Sequence, residues 1–110
     1  MQETVTVIDA MNLFEGKQAI KELLFAIATQ RAKGQRVLKI LHSGEKSTIA
    51  KVHRELKRLK TEGKLACYHT GKRITLSNPD ILYIIDKFPF VAQDPAIGGE
   101  DEKCTLVFLG

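Results

Sequence analysis

Two features of this 110-residue chain could do chemistry: a histidine at a strand end and a helix with a surplus of positive charge. His42 closes the strand-like run Arg36–Leu41 and precedes Ser43-Gly44-Glu45-Lys46-Ser47, where a helix begins. The carboxyl ends of parallel strands and the N-termini of helices collect anions, because free backbone N–H groups and the helix dipole point there. An imidazole so placed can donate to a phosphate oxygen or act as general acid or base. Asp9 ends the first strand at a comparable level and is read with His42 as the catalytic pair, orienting the ring or holding a metal ion. The competing readings are a loop-capping histidine and a turn aspartate. His69 closes a third strand that should run parallel to the second, and is read either as facing the same edge or, more readily, as an exposed loop histidine; His53 is read as a boundary residue beside the apolar stripe of a helix.

The charge points to a polyanion. The chain carries +4 overall, yet residues 46–64 hold seven basic residues against two acidic ones, Glu55 and Glu62, so the excess lies on that one segment. Lys51, Arg54, Lys57 and Arg58 are its candidate phosphate contacts, joined by Ser43, Gly44, Lys46 and Ser47 from the loop. Each such contact would add a salt-sensitive, sequence-independent increment of affinity. Base readout is not expected: there is no tryptophan, and Tyr68 and Tyr83 sit in apolar surroundings that read as core. A nucleotide triphosphate is not expected either, because Ser43–Thr48 lacks the glycine spacing of a P-loop. Cys67 and Cys104 read as small buried hydrophobes, with neither a metal site nor a disulfide implied.

The elements that position these residues follow from periodicity. Val5–Ile8 alternates and is β-branched, a first strand. Ile20, Leu23, Leu24 and Ile27 recur at helical spacing between about Glu15 and Lys33, and Gly34 stops that helix. Arg36–Leu41 is a second strand. Ile49, Val52, Leu56 and Leu59 form the stripe of a second helix over Lys46–Glu62, with Ser43 or Ser47 as N-cap and Gly63 as its stop. Leu65–His69 is a third strand, Asn78-Pro79-Asp80 opens a short helix, and Gln93–Lys103 reads as a polar surface loop. Cys104–Leu109 is the last strand. The order β-α-β-α-β-(short α)-β predicts an α/β, two-layer domain with a mixed four-stranded sheet and the two long helices on one face. The length fits one domain with one core.

Over residues 5–109 the chain resembles the small MutS-related (Smr) domain family. Ile8-Asp9-Ala10-Met11-Asn12-Leu13 stands where the family usually has Leu-Asp-Leu-His-Gly-Leu. Lys39-Ile40-Leu41-His42, leading to a helix with Lys51, Arg54 and Glu55, matches its strand–histidine–loop–helix. Gly99 and Thr105-Leu106-Val107 resemble its closing segment. Gly63–Pro89 looks like the insertion of short stand-alone bacterial members. The resemblance implies a fold similar to the C-terminal domain of translation initiation factor three, and DNA or RNA binding or endonuclease activity. The departures fall on the active motif: Met11-Asn12 replaces the first His-Gly, and Ser43, Glu45 and Ser47 fill all three glycine positions of the second. Glycine there lets backbone N–H groups approach a phosphate, whereas Glu45 brings negative charge.

The function read from the sequence is therefore DNA or RNA binding with weak or lost endonuclease activity, a divalent metal entering only if cleavage persists. The alternative is a catalytically inactive adaptor, a protein-interaction module. No apolar run approaches the roughly 18–20 residues of a membrane span, and the first residues lack the pattern of a secretory signal, so a cytoplasmic location is expected.

Overall fold

The computed structural model describes residues 2–11 and 17–110. Its elements are β1 (Thr6–Asp9), α1 (Lys17–Ala32), β2 (Val37–Leu41), α2 (Lys46–Thr61), β3 (Cys67–Thr70), α3 (Pro79–Lys87) and β4 (Cys104–Phe108). The sheet order is β1-β2-β4-β3; β1 and β2 are parallel, and β4 runs antiparallel to both of its neighbours. This is the expected mixed four-stranded α/β sheet. The residues of the first motif beyond Met11, and the expected start of the first helix, lie outside the described residues.

β4 is buried along its whole length because it occupies an interior position with an almost unbroken apolar sequence. Side-chain alternation divides it between two faces. On one face Ile8, Leu38, Ile40 and Val107 pack against Leu23 and Ile27 of α1 and Val52, Leu56 and Leu59 of α2. Both long helices thus share a face, as expected. On the other, Val37, Cys104, Leu106 and Phe108 meet Ile81 and Ile84 of α3, with Ile74 and Val91. One core was expected from the length. The sheet supports a second because β2 and β4 are apolar on both sides, and α3 with a 3₁₀ segment at Pro89–Gln93 covers the face that α1 and α2 leave.

That second core also changes the reading of the Gln93–Lys103 loop. Ala96 is buried and Ile97 packs beside it, while Lys39 of β2 pairs with Asp94 at 2.9 Å in a largely buried position. The loop is anchored at its start and polar only farther on.

Helix ends follow local chemistry with one departure. Asn78 caps α3 by accepting from the Asp80 N–H, and Pro79 follows in the first turn. The N-cap of α2 is Glu45, without a side-chain capping bond, and neither Ser43 nor Ser47 takes that place. Ser43 Oγ instead accepts from the Glu45 N–H, a tight local turn. Gly71, at φ +59, turns the chain out of β3, and a Cβ there would collide with the Glu102 carboxylate.

Candidate functional site

His42 is interior, with no exposed surface. Its side chain lies on the face covered by α1 and α2, where Nδ1 is 2.9 Å from the Ser43 carbonyl and Nε2 is 2.7 Å from Thr105 Oγ1. A carbonyl can only accept, so in the neutral ring Nδ1 carries the proton and Nε2 accepts from the Thr105 hydroxyl. Both ring nitrogens are occupied, and neither meets solvent where a phosphate could reach it. The expected surface histidine is a buried one, because the residue after β2 keeps the strand's alternation and finds a polar partner on β4.

The chain of bonds continues. Thr105 Oγ1 is 2.6 Å from Thr70 Oγ1, and Thr70 Oγ1 is 2.6 Å from His53 Nε2. Since Thr105 donates to His42, Thr70 donates to Thr105, and His53 Nε2–H donates to Thr70. His53, read from the sequence as a boundary residue, is the outer end of this relay. Its pKa is held below the ordinary histidine value of 6.5, first by burial, then by the charges of His42 and Arg73, with Glu102 opposing.

Asp9 does not meet His42. It pairs in register with Leu41, so it projects on the opposite face, is exposed, and accepts the Met11 N–H at 3.0 Å as a turn residue. Gly44, Lys46 and Ser47 are exposed as expected. Yet Ser43, Gly44 and Glu45 share a surface depression with Glu100, Asp101, Glu102 and Lys103, so four carboxylates against one ammonium crowd the place where the glycine motif would put a phosphate.

The candidate cations of α2 lie in different surroundings. Lys51, Arg54, Lys57 and Arg58 are all exposed. Arg58 pairs with Glu55 at 2.9 Å and Glu62 at 3.6 Å, whereas Lys46, Lys51, Arg54, Lys57 and Lys60 form no ion pair among the described residues. Helical spacing puts Lys60 on the same flank as His53, seven residues earlier. These two, with Arg73 and Thr70, line a cleft of about 390 Å³ along the exposed edge of β3. Lys60 entered the sequence reading only as one of the seven basic residues of 46–64, and Arg73 escaped it, because nothing local ties a residue beyond β3 to the flank of α2. Tyr68 contributes to the same cleft, half-buried and tilted against His53 at 5.5 Å.

Cys67, His69 and Asp80 line the cleft too, and one potential donor atom from each lies within 4.8 Å of the others. His69 is a half-buried strand residue whose Nε2 is 2.8 Å from Asp80 Oδ2, not a free loop histidine. Cys67 and His69, two apart on a strand, share a face; that signal was present in the sequence, but the arrival of Asp80 from α3 was not. The three do not form a thiolate nucleophile: burial, then the Asp80 charge, pushes the Cys67 thiol up to about 11. Burial pushes Cys104 up to about 11 as well. No family model, curated protein or solved structure matches the chain.

Proposed function

We propose that this domain, of the small MutS-related type, binds the sugar–phosphate backbone of DNA or RNA without reading base sequence, and that α2 with the adjoining β3-edge cleft is the contact surface. The observation that carries the reading is the row of exposed cations on α2 lacking ion-pair partners among the described residues: Lys46, Lys51, Arg54, Lys57 and Lys60. Arg73 extends the positive surface across the cleft. Carboxylates at Glu100, Asp101 and Glu102 repel a phosphate from the Ser43–Glu45 loop and favour contact farther along α2. The buried, doubly bonded His42 supports a binding surface over a hydrolytic one.

The test is a mobility-shift titration with single-stranded DNA, duplex DNA and RNA at two salt concentrations. Binding is expected to be similar across sequences and to weaken steeply with salt, since each neutralised phosphate contributes about −0.9 to the logarithmic salt slope on duplex DNA. Absence of a shift at low salt with all three polymers would remove this reading. It would leave the protein-interaction module, which one observation favours: an apolar groove of about 690 Å³ between α1 and α2, bearing Leu24, Ala28 and a Phe25 that is 74% exposed.

A further inference from the structure

We propose that Cys67, His69 and Asp80 form a binding site for a transition-metal ion of the zinc class, with a fourth coordination position open to the β3-edge cleft. The donor set decides the class. A thiol sulfur beside an imidazole and a carboxylate suits zinc or cobalt and not magnesium or calcium, which take oxygen ligands. Three protein donors and one open position is the arrangement of a zinc site that keeps a bound water.

The geometry is close to what such an ion needs. The three donor atoms lie within 4.8 Å of one another. Tetrahedral zinc with bonds of about 2.0–2.3 Å holds its ligands about 3.3–3.8 Å apart, so an adjustment of about an ångström completes the site. The backbone supplies two of the donors in fixed positions, because Cys67 and His69 alternate onto one face of β3. The third can move: the Asp80 side chain is 55% exposed in the first turn of α3, beyond the Asn78 cap. His69 Nε2 and Asp80 Oδ2, now 2.8 Å apart, share a proton that the ion would replace. Binding would release the thiol proton of Cys67 to solvent, while neutral His69 would carry its one ring proton on Nδ1 and free Nε2 to ligate, with no change of oxidation state. The ion would tie edge strand β3 to α3, two elements that otherwise meet through the second core.

The site lines the same cleft as the proposed phosphate-binding surface but shares none of its cations, so either reading can fail alone. The test takes the reduced full chain, freed of metal with a chelator, and titrates it with cobalt(II) and then zinc. The expected result is a thiolate-to-cobalt charge-transfer band in the near ultraviolet with tetrahedral visible absorption, saturating at a single equivalent and displaced by zinc. Cys67→Ser abolishes the charge-transfer band and Cys104→Ser retains it. Asp80→Asn, at an exposed helix end where far-ultraviolet circular dichroism should stay native, weakens cobalt affinity by about tenfold or more. No thiolate band at micromolar cobalt, a band that survives Cys67→Ser, or wild-type affinity in Asp80→Asn would each overturn the proposal.

Discussion

His42 and His53 are the two ends of one hydrogen-bonded chain that runs through Thr105 and Thr70, with successive separations of 2.7, 2.6 and 2.6 Å. The Ser43 carbonyl fixes its direction, since it forces the proton of neutral His42 onto Nδ1. Protonating His42 at Nε2 would reverse every donor along the line and require His53 to accept. The two rings therefore cannot both be doubly protonated without leaving one hydroxyl proton unpaired inside. The two imidazoles are coupled by bonding as well as by charge.

Thr105→Val should show what that chain is worth. The substitution keeps the shape but removes the hydroxyl that links His42 Nε2 to Thr70, leaving buried polar groups without that partner. A loss of about 1–3 kcal/mol is expected, read as a lower urea midpoint with an unchanged slope. A wild-type midpoint would mean that the relay contributes nothing to the fold.

The depressed pKa of His53 sets a pH dependence whose sign follows from linkage. The unfolded chain holds a proton on this histidine at about 6.5, while the folded chain gives it up until a lower pH. Between those values the unfolded state binds more protons, so stability rises with pH across the window. The contribution is fully present above 6.5 and is lost as pH falls from 6.5 through the folded value. Melting temperature followed from pH 7.5 downward should fall more steeply in wild type than in His53→Gln. Parallel curves would contradict it.

Charge reversal at Lys51, Arg54, Lys57 and Lys60 should abolish nucleic-acid binding and leave circular dichroism native, because all four side chains are exposed and none is tied in an ion pair among the described residues. Reversal of Arg58 alone should cost less than reversal of Lys57 alone, since Glu55 and Glu62 already neutralise the arginine. Mobility shifts on one duplex at two salt concentrations check both. Each lost phosphate contact should also flatten the logarithmic salt slope by about one. Equal losses from Arg58 and Lys57 would show that the ion pairs open on binding.

The legible part of this fold is the part written in short-range periodicity. Leu23, Ile27, Val52, Leu56 and Leu59 announce their helices, and their burial is as the stripes require. Long-range placement was not legible. Leu106 and Phe108 read as strand, but not as the second face that α3 would cover. Tyr83 reads as core among isoleucines; on α3 it falls between the inward Ile81 and Ile84 and is 53% exposed, with Lys87 over its ring. His42 looked catalytic because strand end, loop and helix start coincide there. Its burial depends on Thr105, sixty-three residues away, a distance over which no local pattern speaks. The basic character of α2 was legible because it is compositional; its pairing with Arg73 across the cleft was not.

Strand cleavage should be negligible. A general acid or base must come within hydrogen-bond reach of the proton it moves, and His42 has no exposed surface and both nitrogens engaged. Asp9, on the other face and held in its own turn, cannot assist it. The loop that would place donors on a developing negative charge carries Glu45 and faces Glu100, Asp101 and Glu102; losing even one such donor typically costs about 10²–10³ in rate. Nicking of supercoiled plasmid and of labelled RNA, with Mg²⁺, Mn²⁺ or chelator, should give the same trace level for wild type, His42→Ala and Asp9→Ala. Because His42→Ala removes a buried, bonded side chain, its folded fraction is measured in the same buffer, and His53→Gln is run beside it as the outer end of the relay. Robust metal-dependent cleavage by wild type that vanishes in folded His42→Ala would mean that the loop opens to bring the ring to the substrate. Cleavage lost only in His53→Gln would place the proton-transfer group at the cleft.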